Sequence, residues 1–150
     1  MPNPESDAAV ARGLEVVGKV YGPDVRDAAA GRLSNPQTRE TIAHLMGEIW
    51  TRPQLSVRDR RMLILGLSAT LSDADTIRII ITGAILNNEL TEEELDEIPL
   101  FLSFYAGWGK AGALNRGIAE AREATADLRR ERAQAAAAKD SGQHESGTSE

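Results

Sequence analysis

With 150 residues, a formal charge of −6 and a pI near 5.0, the sequence has room for one domain plus tails and lacks the clustered positive charge of a nucleic-acid binder. Zero cysteines exclude a disulfide framework, thiolate metal sites and thiol redox cycling, and His44 and His144 alone cannot make a histidine-rich zinc site. The start has no basic or apolar leader and no window reaches about 18 uncharged apolar residues, so the expected protein is soluble, cytoplasmic and without membrane contact.

Val10, Leu14, Val17 and Val20 recur at three- and four-residue steps, which predicts a first amphipathic helix ended by YGPD and followed by a turn. Asn35 is the expected N-cap of the next helix and Pro36 its first residue, where a missing N–H costs nothing. Ile42, Leu45, Met46 and Ile49 then form one face, and TRPQL breaks the helix. Ser56 with Asp59 stands as a capping pair for VRDRRMLILGLSATL, with the charged run Arg58 to Arg61 in its first turn.

Asp73 to Asp75 can cap TIRIIITGAILNN, whose isoleucines cover more than one face; this helix is where a partner subunit is expected. Thr91 and Glu94 make a capping box for TEEELDEIPLFLSFYAG, with Pro99 inside. GWGKAG interrupts, and helix returns in ALNRGIAEAREATADLRRERAQAAAAK. The expected fold is all-α with about six helices: a tail over 1–9, a helical domain over 10–126, and a charged, alanine-rich helix end with a disordered tail over 127–150.

The ordered series GEIWTRP, LSVRDRRMLILGLSATL, GAILNNELTEEELDEIPLFLSFYAG and ALNRGIAEA resembles the carboxymuconolactone decarboxylase family over about residues 11–122. That resemblance implies an all-helical protomer assembling into trimers or hexamers, pockets near subunit interfaces, no metal and no organic cofactor. The related alkylhydroperoxidase D type works through a Cys-x-x-Cys pair, which a chain without cysteine cannot supply. Two departures stand out. Ile81 occupies the position of the usual histidine in the central helix, with Gly83 where an arginine is usual, and Trp108, Gly109 and Lys110 follow YAG in place of a small residue and proline.

The family reaction needs a holder for substrate carboxylate, a stabiliser for the developing oxyanion and a proton donor. His44 and Glu48, four residues apart on one helical face, are the candidate catalytic pair; the alternative is a surface histidine paired with a carboxylate. Trp50, Arg52, Arg78, Tyr105 and Trp108 are the candidate substrate-binding residues. Each has a plain structural use: Trp50 and Tyr105 as core, Arg52 at a helix end, Arg78 in an interface ion pair, Trp108 as filler of an old pocket. The sequence is thus expected to encode a homo-oligomeric lyase of decarboxylase type acting on a small, anionic, cyclic carbonyl compound. The alternative is a non-catalytic helical oligomer binding a hydrophobic ligand or protein.

Overall fold

The computed structural model describes residues 4–71, 73–132 and 134, all of them helix or connecting turn without a strand. The order is α1 (Pro4–Tyr21), α2 (Pro23–Ala30), α3 (Pro36–Glu40) running directly into a π-helical segment (Thr41–Ile49), α4 (Val57–Leu71), α5 (Ala74–Leu86), α6 (Glu92–Ala106) and α7 (Trp108–Ala124). Among the described residues no helix is long and apolar enough to cross a membrane.

The expected caps form. Asn35 accepts from the Thr38 N–H at 3.3 Å, Asp73 from the Thr76 N–H at 3.0 Å, and Ser56 and Asp59 bond each other's backbone N–H, both at 3.0 Å. Thr91 and Glu94 make a complete capping box. Asn88 takes φ 54, a left-handed turn that asparagine tolerates, just past the end of α5.

Three features depart from expectation. Helix α1 starts at Pro4, within the span expected to be tail, and already buries Ala9. Helix α2 fills the segment expected to be a turn; it buries no residue, so no apolar period marks it. Helix α7 begins at Trp108, because Gly107 alone, at φ 91, makes the break that GWGKAG was expected to make. Residues 126–132 are helical, within the expected charged helix end, and Arg132 donates to the carbonyls of Ile85 and Leu86 at 2.5 and 2.9 Å, satisfying the C-terminal end of α5. The disordered tail expected over DSGQHESGTSE lies outside the described residues.

Two apolar clusters make the core. One surrounds α5, where Ile77, Ile80, Ile81, Ala84 and Ile85 meet Leu65, Leu95, Leu114 and Ile118 of the other long helices. The isoleucine-rich helix is therefore covered by α1, α4 and α7 of its own chain. The second cluster joins α1 to the π-helical segment through Val10, Val17, Val20, Ile42, Met46 and Trp50. There the backbones nearly touch: a Cβ on Gly13 would lie 1.9 Å from the Ile42 carbonyl oxygen. The wider i→i+5 turn, visible in the Trp50 N–H bonded to the Leu45 carbonyl, keeps Ile42, Met46 and Trp50 facing α1.

Candidate active site

A pocket of about 330 Å³ opens between α4 and α6, in the size range of small-ligand sites. Its wall is mostly apolar: Met62, Leu65 and Gly66 from α4, Leu90 from the preceding loop, Ile98, Phe101 and Leu102 from α6. Three charged side chains interrupt it, Arg58, Glu94 and Glu97. Arg58 Nη2 donates to Glu94 Oε1 at 2.5 Å and Arg58 Nε to the Glu89 carbonyl at 3.0 Å. The other Glu94 oxygen accepts the Thr91 N–H at 2.9 Å, so this carboxylate is committed to the helix cap. Glu97 has no hydrogen-bond or ion-pair partner among the described residues and is the carboxyl group open to a ligand.

Behind the pocket lies the one fully buried charge among the described residues, Arg61. Its Nε and Nη2 donate to the two Glu89 oxygens at 2.5 and 3.1 Å, Nη1 to the Ile80 carbonyl at 3.0 Å and Nη2 to the Val20 carbonyl at 2.6 Å. Val20 sits in the last turn of α1, where carbonyls lack helical partners and favour a cation. Burial pushes the Tyr21 hydroxyl above its usual range, with the Arg61 charge acting in the opposite direction, and the guanidinium lies 5.8 Å from the ring centre. Two arginines of α4 thus hold Glu89, one by its side chain and one by its carbonyl, and fix the loop that carries Leu90 into the pocket.

None of the seven side chains singled out in the sequence lines this pocket. His44 and Glu48 do come together: the imidazole Nε2 lies 3.1 Å from Glu40 Oε2 and Nδ1 lies 3.4 Å from Glu48 Oε1. Both are open to solvent, at 62% and 53% exposure, in a hollow of about 580 Å³ shared with Glu5 and Arg12. Glu40 and Glu48 flank the imidazole and Glu5 lines the same hollow, an acidic setting that disfavours a carboxylated ligand. Trp50 is only 7% exposed and packs edge-on against Tyr21 with ring centres 5.9 Å apart, which makes it core. Arg52 is exposed, and its carbonyl accepts from Arg60 Nη2 at 2.8 Å.

Arg78 lines a separate groove beside α2. Tyr105 and Trp108 are 78% and 68% exposed and pair with Phe101 and Phe104 along the outer face of α6. The expected convergence of His44, Glu48, Arg52 and Trp108 in one pocket does not occur within the protomer. Among the described residues no group of three or more His, Asp or Glu is arranged to hold a metal ion, the Glu40, His44 and Glu48 row included.

The profile of the carboxymuconolactone decarboxylase family matches residues 36–120, more than half of the chain. The chain belongs to the carboxymuconolactone decarboxylase family. It is also 31% identical over 99 residues to the 4-carboxymuconolactone decarboxylase of Acinetobacter baylyi (strain ATCC 33305 / BD413 / ADP1), a match covering 64% of this chain and 73% of that relative.

For a carboxymuconolactone decarboxylase family member, the two departures in α5 now have a physical setting. Ile81, at the position of the expected histidine, is completely buried in the core. A Cβ on Gly83, where an arginine is expected, would lie 2.2 Å from the Val20 carbonyl oxygen and 2.8 Å from Arg61 Nη1. Arg61 fills the space into which a side chain at position 83 would grow. The sequence held a signal for it: Arg61 lies one turn before Leu65 and two before Ala69, on the buried face of α4.

Proposed function

We propose that this chain is a lyase of decarboxylase type that acts, in the cytoplasm, on a small cyclic carbonyl or lactone compound carrying a carboxylate, bound between α4 and α6. The observation that carries this reading is the apolar pocket of about 330 Å³ with one arginine and one unengaged carboxyl group in its wall. Loss of carbon dioxide breaks the bond between the ring carbon and the carboxylate and leaves the electron pair on that carbon, delocalised onto the carbonyl oxygen. Arg58 supplies a fixed positive charge for that oxygen, since its Nε and Nη2 are already held by the protein and Nη1 remains to donate. Glu97 delivers the proton to carbon and is recharged from solvent. The apolar wall strips water from the reacting carboxylate.

The departures at Ile81 and Gly83 support a substrate changed from that of the Acinetobacter relative. The His44 and Glu48 pair is the competing proton donor, and its acidic surroundings make it the weaker one for an anionic substrate.

A homo-oligomer accompanies the reading. Leu63, Leu67 and Leu71 of α4 and Leu100, Phe101, Phe104, Tyr105 and Trp108 around α6 stay exposed. Together they offer roughly 1,000 Å² of apolar surface, above the size of ordinary monomer patches and near what one side of a stable interface needs. The same face favours the second reading, a non-catalytic helical oligomer.

The test is carbon dioxide release from 4-carboxymuconolactone and from a panel of carboxylated lactones and β-keto acids, with Glu97→Gln and Arg58→Gln beside the parent chain. Turnover on a panel member, lost in Glu97→Gln, supports the enzyme. No release from any compound by a correctly assembled oligomer refutes it in favour of the non-catalytic reading.

A further inference from the structure

Arg78 stands away from the α4–α6 pocket, in the wall of two hollows beside α2. Helix α2 buries none of its residues, and beneath it runs a groove of about 580 Å³ between α2, α3, the start of the π-helical segment and α5. A smaller hollow of about 240 Å³ shares Asp24, Val25, Arg78 and Ile79 with it and reaches α7. Arg78 therefore stands in the wall common to both.

Its guanidinium is under-used. The nearest carboxylates, Asp75 and Glu120, lie 3.8 and 3.9 Å away, beyond hydrogen-bond reach, and no described residue accepts a hydrogen bond from it. One turn further along α5, on the same face, the Thr82 hydroxyl oxygen is buried and has no hydrogen-bond partner. A buried hydroxyl without a partner is costly unless something in the hollow meets it. Arg32 opens the outer end of the groove with no carboxylate paired to it. The two hollows are thus lined by Arg78, which makes two long ion pairs and no hydrogen bond, by an unpaired Arg32 and by a free hydroxyl, with Asp24 as the one lining carboxylate among the described residues. Val25, Ala28, Ala29 and Ile79 give it an apolar wall.

We propose that this groove binds a small organic acid, whose carboxylate is gripped by the Arg78 fork and the Thr82 hydroxyl and whose apolar body lies against α2. This is independent of the chemistry proposed for the α4–α6 pocket.

The test titrates the full-length, ¹⁵N-labelled protein with benzoate and, separately, with inorganic phosphate. Expected are saturable benzoate shifts at amides of residues 24–29 and 78–82, with affinity lowered about tenfold or more by Arg78→Met and several-fold by Thr82→Val. Arg78→Lys should retain part of the affinity, and it carries the test together with Thr82→Val if Arg78→Met does not fold. Gly66→Leu, in the other pocket, should leave benzoate binding unchanged. Absence of saturable shifts, equal affinity in the Arg78 and Thr82 variants, or phosphate binding as tight as benzoate would each overturn the proposal.

Discussion

Replacing Glu89 by Gln keeps the shape of the loop acceptor while removing the carboxylate paired with a buried arginine. Arg61 has no solvent exposure and cannot turn outward, because Nη1 and Nη2 are also bonded to the Ile80 and Val20 carbonyls at 3.0 and 2.6 Å. Two ion-pair hydrogen bonds to Glu89, at 2.5 and 3.1 Å, become bonding to one uncharged amide oxygen, with an amide N–H₂ facing guanidinium N–H. Breaking a buried pair by removing one partner costs about 3–5 kcal/mol. At this chain length that corresponds to a fall in Tm of roughly 6–20 °C. Urea unfolding at fixed protein concentration measures it, and the loss should be nearly the same at low and high salt because the pair is shielded from solvent ions. A loss under about 1 kcal/mol would mean that Arg61 finds water or another acceptor, and the reasoning about the buried clamp would be wrong.

Gly83→Ala places a Cβ against the Val20 carbonyl and Arg61 Nη1, so it should cost about 2 kcal/mol or more where an exposed helical Gly→Ala would stabilise; thermal unfolding decides the sign. Asp59 and Asp73 have carboxyl groups held below the usual value of 3.8, Asp59 chiefly by the Ser56 hydroxyl and Asp73 chiefly by the Thr76 N–H. Their contribution to stability is complete above the unfolded value of 3.8 and is lost as pH falls through the depressed folded values, so Asp59→Ala should flatten the acid limb of a urea-midpoint titration and leave its neutral part parallel to the parent. Phe104→Glu puts a charge in the exposed aromatic row and should shift the proposed homo-oligomer to smaller species by light scattering without lowering the helical circular dichroism.

The helices and their caps were legible because each rests on local chemistry. Asn35 with Pro36, Asp73 with Thr76, and Thr91 with Glu94 satisfy orphan N–H groups within one turn, and no distant residue is needed to form them. Helix α2 was not legible: its PDVRDAAA sequence buries nothing, and apolar spacing is the signal by which helices are found. Which side chains share a pocket within the protomer was less legible. GEIWTRP marks the family, yet its Trp50 is spent on the core beside Tyr21 and its Glu48 faces solvent.

Arg58, Glu97 and Gly66 meet across two helices separated by more than a turn and a loop, and no periodicity within either helix announces that α4 and α6 leave a gap there. Arg61 read as one of a charged run in a first turn, although it shares the face of Leu65 and Ala69; the pairing with Glu89 and the bare backbone of Gly83 make it a buried clamp. The isoleucines of α5 were read correctly as needing cover on several sides; that cover comes from the same chain, and the exposed apolar face moves to α4 and α6.

The most direct test fills the proposed site without touching anything else. Gly66 lines the α4–α6 pocket, and a Cβ there would meet no atom within 4 Å, so Gly66→Leu should fold at least as well as the parent while its side chain occupies the space meant for substrate. With any carboxylated lactone or β-keto acid that the parent decarboxylates, this variant should lose about a hundredfold or more in kcat/KM, and His44→Ala should lose little. Full activity in Gly66→Leu with loss in His44→Ala would move the chemistry to the other face of the protein and contradict the account.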